Sequence, residues 1–454
     1  MKVIIIGAGR RGLRLARHLI EEKAAVTFLD ISGDRCQSAL AKLDCMAVCG
    51  SATNIERLIE AGVEEADTVI AVTDSDEVNL VSCGLVTASF PNVTKTVAAI
   101  RSISYLSEDE GGKSLPVLGI SDIVNPDSEA ARRILDVVRS GLYYDTITFP
   151  DTNFLLFTIH VSKRSPFANL SLIEFRSRFT GNVVVTGISR KGKVILPSGD
   201  TVLRPGDDIA VICDSDDTLA LFDLGGKSSR PKESERTILV GATKVTRALL
   251  TRFSPKERSV STLIERDPLV ADEFSKLFPD VLVINGSITD ESLWEDEALE
   301  DSDVLISLTE NDELNIITAS YAKKLGVDRS IALIKTNPNY ISLARQFDID
   351  APISTTEATV DTIVKHLRSG MIMSLHTLFD GKLEVYEYSV SSNFRHIGKA
   401  LKEVHLRGLA IIAGVKRPGA DAFVPGGNYV FTQGDTVLIC CLHSNSSFVQ
   451  ELFR

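Results

Sequence analysis

The chain opens on the stretch KVIIIGAGRRG, residues 2–12, which directly follows Met1. Its apolar first half predicts a buried strand, and Gly7, Gly9 and Gly12 then predict a glycine-rich turn. The next segment, RGLRLARHLIEE, has helical periodicity, and AAVTFLD after it predicts a second strand that ends at Asp30, 18 residues beyond Gly12. A strand, a G-x-G-x-x-G turn, a helix and an acidic residue at this spacing are the βαβ fingerprint of a dinucleotide-binding unit.

Each residue of the fingerprint has a physical task. Gly7 permits the tight turn, Gly9 lets the backbone approach a phosphate, and Gly12 lets the helix pack on the strand. The free amides and the positive dipole end at the start of the helix favour phosphates. The carboxylate of Asp30 can accept hydrogen bonds from a ribose diol, which disfavours NADP with its 2′-phosphate. We therefore predict nucleotide binding here, and a purely structural glycine turn is the alternative.

Two arginines lie inside the turn. A guanidinium at Arg10 could reach a terminal phosphate through bidentate, charge-assisted hydrogen bonds, and Arg11 is its neighbour. The alternative is a solvated charge at a helix start, where the helix dipole disfavours a cation. A phosphate contact here leaves ATP and ADP open beside NAD(H).

Four further candidates follow later strands of the same unit, at the carboxyl edge where such sheets bind ligands. Ser51 and Ala52 come just after the strand MAVCG, where the adenine would lie. Thr73 ends the fourth strand, and Arg101 follows TVAAI. We predict that these residues line the same site as the glycine turn.

The chain repeats itself. TDSDEVNL (73–80) matches TENDELNI (309–316), each after a buried strand and each opening a helix with an acidic first turn. In the first copy, Asp74 and Glu77 are expected to cap that helix. A second repeat pairs VILPSGDTVLRPGDDIAVIC (194–213) with AFVPGGNYVFTQGDTVLICC (422–441). The organisation is therefore A-B-A′-B′.

These patterns predict an α/β fold. Each A unit alternates strands and helices, which indicates a Rossmann-like, doubly wound parallel sheet, and each B unit is a small α+β module. The predicted domains are 1–125, 126–225 with a bridging helix over 127–141, 236–353, and 354–454 with a bridging helix over 355–370. Residues 225–235, GGKSSRPKESE, are typical of a linker.

The second A unit has lost most of its glycine turn. In ILVGATKVTRALL only Gly241 survives, and Thr243 and Thr246 stand where glycines are expected. A side chain at Thr243 would crowd a pyrophosphate, and one at Thr246 would push the helix off the strand. Glu265 still ends the second strand. We predict a degenerate site in an intact fold.

Composition and charge exclude several classes of protein. The formal net charge of -12 argues against nucleic acid as a partner. No apolar run approaches the roughly 20 residues that span a bilayer, and the first residues do not resemble a signal peptide, so we expect a cytosolic protein.

The seven cysteines are interpreted as small buried hydrophobic residues, with Cys45 and Cys49 as the alternative metal or redox pair.

Sequence signs of catalysis are missing. None of the seven histidines stands in an acid/base motif, and no metal-ligand spacing or nucleophile elbow is found. The B units, at roughly 80 residues, are too small for the substrate domain of a dehydrogenase. A nucleotide site without adjoining chemistry points to sensing, and we expect neither catalytic nor metal-binding residues.

Five segments stand out in combination: KVIIIGAGRRG, AGVEEADTVIAVTDSDEVNL, LISLTENDELNI, LRPGDDIAVIC and FTQGDTVLICC. In these segments the chain resembles the TrkA family of Trk potassium-uptake regulatory subunits, which are built from two tandem RCK (KTN-type) modules. The resemblance covers essentially the whole chain. It implies a cytosolic protein at the inner face of the plasma membrane, docked on a Trk-type membrane potassium transporter. It also implies a homo-oligomeric ring, dimer or tetramer, whose shape changes when NAD(H), ATP or ADP binds the N-lobes and so gates ion flux.

The resemblance also implies the cofactor positions. In the first module they are Gly7, Ala8, Gly9, Arg10, Arg11, Gly12, Asp30, Ser51, Ala52 and Thr73, with Arg101 as a weaker candidate; in the second they are Gly241 and Glu265. Two other functions stay open: an NAD(H)-sensing regulator of a different membrane transporter and, less favoured, an NAD-dependent oxidoreductase.

Overall fold

The structure is a computed structural model that describes residues 1–21, 23–102, 118–140, 147–149, 152, 154–161, 165–178, 181–214, 235–290, 293–294, 297, 299–337, 339–347, 349–367, 372–379 and 381–453. The chain divides into two compact units. The first comprises Met1–Leu135 and Ser234–Leu367, and the second comprises Asp136–Glu233 and Arg368–Arg454.

The first half of the chain contains eleven of the described strands and six of the described helices. The strands are Lys2–Ile6 (β1), Ala25–Asp30 (β2), Met46–Cys49 (β3), Thr68–Ala71 (β4), Lys95–Ala99 (β5), Asp122–Val124 (β6), Ile147–Phe149 (β7), Phe154–His160 (β8), Val183–Arg190 (β9), Lys193–Ile195 (β10) and Asp208–Asp214 (β11). The α-helices are Arg10–Glu21 (α1), Gly33–Lys42 (α2), Ile55–Glu60 (α3), Asp76–Ser89 (α4), Pro126–Ser140 (α5) and Leu172–Arg178 (α6).

The second half repeats this order. Its strands are Thr237–Val240 (β12), Ser261–Glu265 (β13), Leu282–Asn285 (β14), Val304–Ser307 (β15), Arg329–Ile334 (β16), Ala351–Ser354 (β17), Ile372–Leu378 (β18), Leu383–Ser389 (β19), Ala410–Lys416 (β20) and Thr436–Leu442 (β21). Its α-helices are Lys244–Arg252 (α7), Pro255–Ser259 (α8), Pro268–Leu277 (α9), Asp312–Leu325 (α10), Asn339–Gln346 (α11), Thr355–Leu367 (α12) and Ser446–Leu452 (α13). Short 3-10 turns lie at Val63–Glu65, Leu299–Asp301, Leu401–Glu403 and His443–Asn445.

The first unit contains two parallel six-stranded sheets. Their strand orders are β3-β2-β1-β4-β5-β6 and β14-β13-β12-β15-β16-β17. In each sheet the chain adds strands first on one side of its first strand, β1 or β12, and then on the other side, so the strand order reverses there. Residues 3–6 of β1 and the whole of β12 are buried, as expected for strands covered by helices on both faces. The doubly wound class predicted from the sequence is confirmed, and the reversal beside β1 and β12 creates the crevice where such sheets bind ligands.

The helix α12 packs on the first parallel sheet although it belongs to the second module. Val360, Ile363 and Val364 lie in one apolar core with Leu15 and Leu19 of α1. Burying these side chains removes apolar surface from water, which is the main stabilising contribution of the contact. The two modules therefore share a core within the first unit.

Polar contacts border this shared core. The guanidinium of Arg14 pairs with Glu357 at 3.0 Å, and that of Arg133 on α5 pairs with Asp361 at 2.8 Å. At the far end of α12, Nδ1 of His366 lies 2.9 Å from the carboxylate of Asp122. About a third of each arginine side chain is exposed, so these ion pairs position the helices more than they stabilise them.

The second unit is built from antiparallel sheets. One has the order β10-β9-β11-β8-β7 and the other β18-β19-β21-β20. Phe154 and Ile212 of the first share an apolar core with Val385 and Leu438 of the second. These sheets, with α6 and α13, are the small α+β modules that the sequence predicts.

Several local expectations need correction. The cap of α4 is Ser75, whose hydroxyl accepts a hydrogen bond from Val78 N at 3.2 Å, and not Asp74 or Glu77. Glu77 instead accepts a hydrogen bond from the Ser75 hydroxyl. Cys49 is exposed and Cys45 half-buried, whereas the other five cysteines are buried as expected.

The predicted domain boundaries stay predictions. The helices found at Pro126–Ser140 and Thr355–Leu367 lie where bridging helices were expected. The expected linker, 225–235, lies outside the described residues except for Glu235. In the described part of the chain, no helix is long and apolar enough to cross a membrane.

Candidate functional site

The glycine turn joins β1 to α1 at the centre of the first parallel sheet. Gly7 has a φ of 103°, a left-handed conformation that side chains disfavour, and its amide donates to Leu29 O at 2.9 Å. A Cβ on Gly7 would also meet the backbone nitrogen of Thr73 at 3.1 Å. The turn is thus wedged between the ends of β2 and β4.

The other two glycines differ in what surrounds them. A Cβ on Gly12 would lie 1.9 Å from Gly7 O, so only glycine lets α1 pack this close to the turn. A Cβ on Gly9 would meet nothing within 4 Å, which means that the space in front of Gly9 is open. Gly9 also has no side chain to cap the first amides of α1. The turn therefore offers a helix start and free space together, the arrangement that suits a phosphate group.

Asp30 holds the turn from the end of β2. Its carboxylate accepts hydrogen bonds from Ala8 N at 2.7 Å and from Ser32 N at 2.8 Å, and Arg35 lies 3.9 Å away. Only 6% of Asp30 is exposed. Each carboxylate oxygen has a second lone pair, so the group can hold the turn and still accept from a ribose hydroxyl.

Three arginines, Arg10, Arg11 and Arg101, belong to the turn and to the end of a neighbouring strand. Arg11 is nearly buried, with its side chain 10% exposed and 3.7 Å from Asp74, whereas Arg10 is exposed. Burial is the main cause of the lowered pKa of Arg11; the positive charges of Arg101 and Arg10 also lower it, whereas Asp74 and Asp127 act in the opposite direction. An anion beside these guanidiniums would relieve their repulsion, so the residues present fit a phosphorylated ligand.

Thr73 follows β4 and is fixed by a residue that the sequence analysis missed. Asn79 on α4 is fully buried; its Oδ1 accepts from Thr73 N at 3.0 Å and from Thr73 Oγ1 at 2.6 Å, and its Nδ2 donates to Ala99 O at 2.7 Å. Asn315 makes the same three contacts with Thr309 and Leu333 in the second module. The Asn is present in both TDSDEVNL and TENDELNI, so the repeat itself carried the signal.

Asp76 is a second residue that the sequence analysis missed. Its carboxylate accepts from the backbone amides of Arg101 and Ser102, between 2.7 and 3.0 Å, and so fixes the chain after β5. Asp312 does the same for Lys335 and Thr336 in the second module. Arg101 itself is exposed at the rim of the site.

The segment after β3 borders the candidate site with its main chain more than with its side chains. Gly50 N donates to Asp30 O at 2.9 Å, which places Ser51 next to the end of β2. The hydroxyl of Ser51 bonds to that of Thr53 at 2.8 Å. The side chain of Ala52 is buried in the core, so a ligand would meet the main chain there.

The second module reproduces the frame of the turn but caps the start of its helix with its own side chains. Gly241 has a φ of 94°, and Glu265 accepts from Ala242 N at 2.7 Å, as Asp30 does from Ala8. The Thr243 hydroxyl, however, accepts from Thr246 N in a reciprocal capping box at the start of α7. Two amides at the start of this helix are thus satisfied by the protein's own side chains.

The expected displacement of the helix by Thr246 stays a prediction. Its hydroxyl donates to Gly241 O at 2.5 Å, a contact that Gly12 cannot make with Gly7 O in the first module. Thr246, Val245 and Leu249 of α7 are all buried.

The structure thus brings Gly7, Ala8, Gly9, Gly12, Arg11, Asp30 and Thr73 together around one turn, with Ser51, Ala52 and Arg101 on neighbouring strand ends and Arg10 facing outward. Gly241 and Glu265 form the equivalent turn of the other sheet. No cluster of three or more potential metal-binding side chains occurs among the described residues.

Family models match the chain along most of its length. The TrkA-N domain model matches residues 3–126 and 237–355, and the TrkA-C domain model matches residues 156–224 and 385–454. The TrkA-N matches alone cover more than half of the chain. They coincide with the two parallel sheets, and the TrkA-C matches coincide with most of the antiparallel ones.

Curated relatives share this layout from end to end. The Trk system potassium uptake protein TrkA of Haemophilus influenzae is 29% identical over 460 residues, covering 100% of this chain and 99% of the relative. The Trk system potassium uptake protein TrkA homolog 1 of Methanosarcina mazei is 28% identical over 459 residues, covering 100% of both.

Solved structures share the fold at low identity. The GsuK RCK domain superimposes with a TM-score of 0.57 at 18% identity, covering 100% of this chain and 94% of that one. A GsuK channel bound to NAD gives a TM-score of 0.58 at 18% identity and covers 100% and 78%. With two TrkA-N and two TrkA-C domains in tandem and relatives matched over their full length, the chain belongs to the TrkA family of Trk system potassium uptake proteins.

Proposed function

We propose that this protein is the nucleotide-binding regulatory subunit of a Trk-type potassium uptake system, and that it controls a membrane potassium transporter through the nucleotide held by its first module. The observation that carries the proposal is the open, glycine-lined turn at Gly9, flanked by Asp30 and Arg11, in a chain of the TrkA family. The protein works as a homo-oligomer docked on its partner at the cytoplasmic face of the membrane, and it acts by binding and not by catalysis.

NAD(H) is the proposed ligand of the first module. The turn from Gly7 to Gly12 holds the pyrophosphate, Asp30 accepts from the adenosine ribose, and the main chain at Ser51 and Ala52 borders the adenine. Arg11, supported by Arg10 and Arg101, neutralises phosphate charge, which keeps ADP and ATP as competing ligands. The structure of a GsuK channel bound to NAD, which has the same fold, supports this choice of nucleotide.

The second module is proposed to be a structural partner without a tight nucleotide site. Its Thr243–Thr246 capping box occupies the amides that a phosphate would need. Its Lys335, whose amide donates to Asp312 as that of Arg101 donates to Asp76, is already paired with Glu310 at 2.6 Å. The expected stoichiometry is one nucleotide per chain.

Control of the transporter requires that the nucleotide bind one conformation better than another, since equal affinity shifts no equilibrium. The described contacts supply a route for this difference. The helix α1 begins at the proposed phosphate site and packs on α12 through Leu15, Leu19 and Ile363. A small shift of α1 on binding is therefore transmitted to the helix that leads into the second TrkA-C domain.

The test combines binding with transport. Calorimetry with NADH, NAD, ADP and ATP on the full chain should give one site per chain, and the Gly9→Ala variant should lose it. Potassium uptake by vesicles that contain the cognate transporter should then depend on the nucleotide when the wild-type chain is added, and not when the variant is added. Uptake that ignores the nucleotide despite tight binding would disprove the control of this transporter and point to a different membrane partner.

A further inference from the structure

Two cysteines that are distant in sequence meet at the end of the first βαβ unit. Cys49 is the last residue of β3 and the pairing neighbour of Asp30 on β2. Cys36 lies in the first turns of α2, and its thiol donates to Asp30 O at 3.6 Å and to Val48 O at 3.5 Å. The Cys49 thiol donates to Ile31 O at 3.6 Å. Both sulfurs thus contact one short stretch of backbone.

The position of Gly33 shows that both thiols are on the same side of α2. A Cβ on Gly33 would lie 3.9 Å from the Cys49 sulfur, and Cys36 is three residues later, on the same helical face. Burial raises the pKa of the Cys36 thiol, and the neighbouring Cys49 thiol raises it further. Cys49 is exposed, whereas Cys36 is 5% exposed. Cys45, which the sequence analysis gave as an alternative partner of Cys49, packs against the apolar core.

The second module shows that the fold does not need these thiols. Asn285 pairs with Glu265 as Cys49 pairs with Asp30, and its amide donates to Glu265 O at 2.9 Å and Arg266 O at 3.2 Å. Ala271 occupies the position in α9 that Cys36 occupies in α2, four residues after the helix cap in both. An alanine and an asparagine therefore fulfil the structural role, and the thiol pair is a property of the nucleotide-binding module alone.

We propose that Cys36 and Cys49 form a redox pair that closes reversibly to a disulfide beside Asp30, with hydrogen peroxide as the oxidant. The exposed Cys49 thiolate attacks the O–O bond of the peroxide, which gives a sulfenic acid and releases the first water after proton transfer. The Cys36 sulfur then attacks the sulfenic sulfur, forms the S–S bond and releases the second water. Two electrons leave the pair of thiols and reduce one peroxide to two waters; a dithiol reverses the step by thiol–disulfide exchange.

Closing the disulfide changes the backbone that holds Asp30. The Cys36 thiol loses its hydrogen bonds to Asp30 O and Val48 O, and the first turn of α2 is drawn toward β3. Ser32, whose amide holds the Asp30 carboxylate, is the residue that caps this turn. We therefore expect the oxidised protein to bind NADH more weakly, by about fivefold or more. This consequence rests on the proposed function, whereas the disulfide itself does not.

The disulfide is tested on the full chain without nucleotide. Reduced protein is treated with hydrogen peroxide, alkylated and mapped by mass spectrometry. We expect two thiols to be lost and a Cys36–Cys49 bridged peptide to appear and to vanish with dithiothreitol. The Cys36→Ala and Cys49→Asn variants, which introduce the residues of the second module, should fold normally and form no bridged peptide. The Cys45→Ser variant should form the Cys36–Cys49 bridge as the wild type does. Retention of all thiols in the wild type, or a bridge between other cysteines, overturns the proposal.

The effect on binding is tested separately by titrating NADH into reduced and oxidised wild type. Weaker binding of the oxidised form, restored by dithiothreitol, supports redox control of the site. Equal affinity of the two forms overturns that control. If reduced protein binds no NADH, the proposed function fails while the mapped disulfide still stands, so the two failures are distinguishable.

Discussion

The carboxylate of Asp30 accepts a hydrogen bond from the backbone amide of Ala8 at 2.7 Å, and so ties the end of the second strand to the glycine turn. Glu265 ties Ala242 in the same way, also at 2.7 Å, in the module whose helix start is capped by Thr243 and Thr246. The same acidic contact thus supports the turn in both modules, although their helix starts differ. This separates what the carboxylate does for folding from what it does for the ligand.

Replacing Asp30 tests both of its roles at once. We expect Asp30→Ala to lower the free energy of unfolding by about 1–3 kcal/mol, because the buried amide of Ala8 and the partly buried amide of Ser32 lose their acceptor, and to weaken NADH binding by about tenfold or more. Glu265→Ala is the matched control, since it removes the same contact from the second module. It should cost similar stability and leave NADH affinity unchanged. Urea unfolding and calorimetry measure the two effects, and equal loss of affinity in both variants would refute the assignment of Asp30 to the ribose.

Gly9 and Gly12 should separate binding from folding. A Cβ on Gly9 meets open space, so Gly9→Ala should change stability by about 1 kcal/mol at most and still abolish measurable NADH binding by filling the phosphate position. A Cβ on Gly12 would lie 1.9 Å from Gly7 O, so Gly12→Ala should destabilise the protein by about 1–3 kcal/mol or more. Thermal melts without NADH compare the stability of the two variants, and melts with NADH show whether each still binds it. Normal NADH binding by Gly9→Ala would place the ligand elsewhere.

The contact between α12 and α1 should matter for the stability of the first module. Ile363 is completely buried in the core that contains Leu15 and Leu19, so Ile363→Ala should cost about 2–5 kcal/mol. Ile317 is 65% exposed on α10, and Ile317→Ala should stay within about 0.5 kcal/mol of wild type. Chemical denaturation compares the two variants. If Ile363→Ala were as mild as its control, the modules would not share a core in solution.

His18 should make stability depend on pH. Its Nε2 is buried and has no hydrogen-bond partner in the described part of the chain. Burial lowers the pKa of His18 from about 6.5, and Arg14 lowers it further, while Asp361, Glu357 and Glu21 act in the opposite direction. The folded protein therefore binds the proton less readily than the unfolded chain. The contribution of His18 to stability is complete above its unfolded pKa and is lost as the pH falls below it.

We accordingly expect the free energy of unfolding to fall less steeply from pH 7.5 to pH 5 in His18→Gln than in wild type. The lowered pKa of Asp122 is caused first by its hydrogen bond to His366, and its contribution is lost only as the pH falls below about 3.8, outside this range. Urea titrations at four pH values measure the two slopes. Parallel curves for the two proteins would show that His18 titrates normally.

The fold could be predicted from the sequence because its signals are local and repeated. The run KVIIIGAGRRG and the acidic end of β2 fixed the start of a parallel sheet, and the matched segments TDSDEVNL and TENDELNI indicated that the chain contains the unit twice. Hydrophobic periodicity and glycine positions act over a few residues, so they can be recognised without knowing which distant segments meet.

Contacts between side chains on different helices and strands could be decided only by the tertiary structure. The sequence analysis favoured Arg10 for a phosphate contact and gave Cys45 only as an alternative partner of Cys49; in the structure Arg10 is exposed, the side chain of Arg11 is nearly buried, and Cys36 lies beside Cys49. The sequence could not show that the Thr246 hydroxyl meets a carbonyl oxygen and donates to it. The sequence determined which elements form, since that depends on neighbouring residues; which side chains meet depends on the directions in which those elements point them, and this is set by the packing of the whole chain.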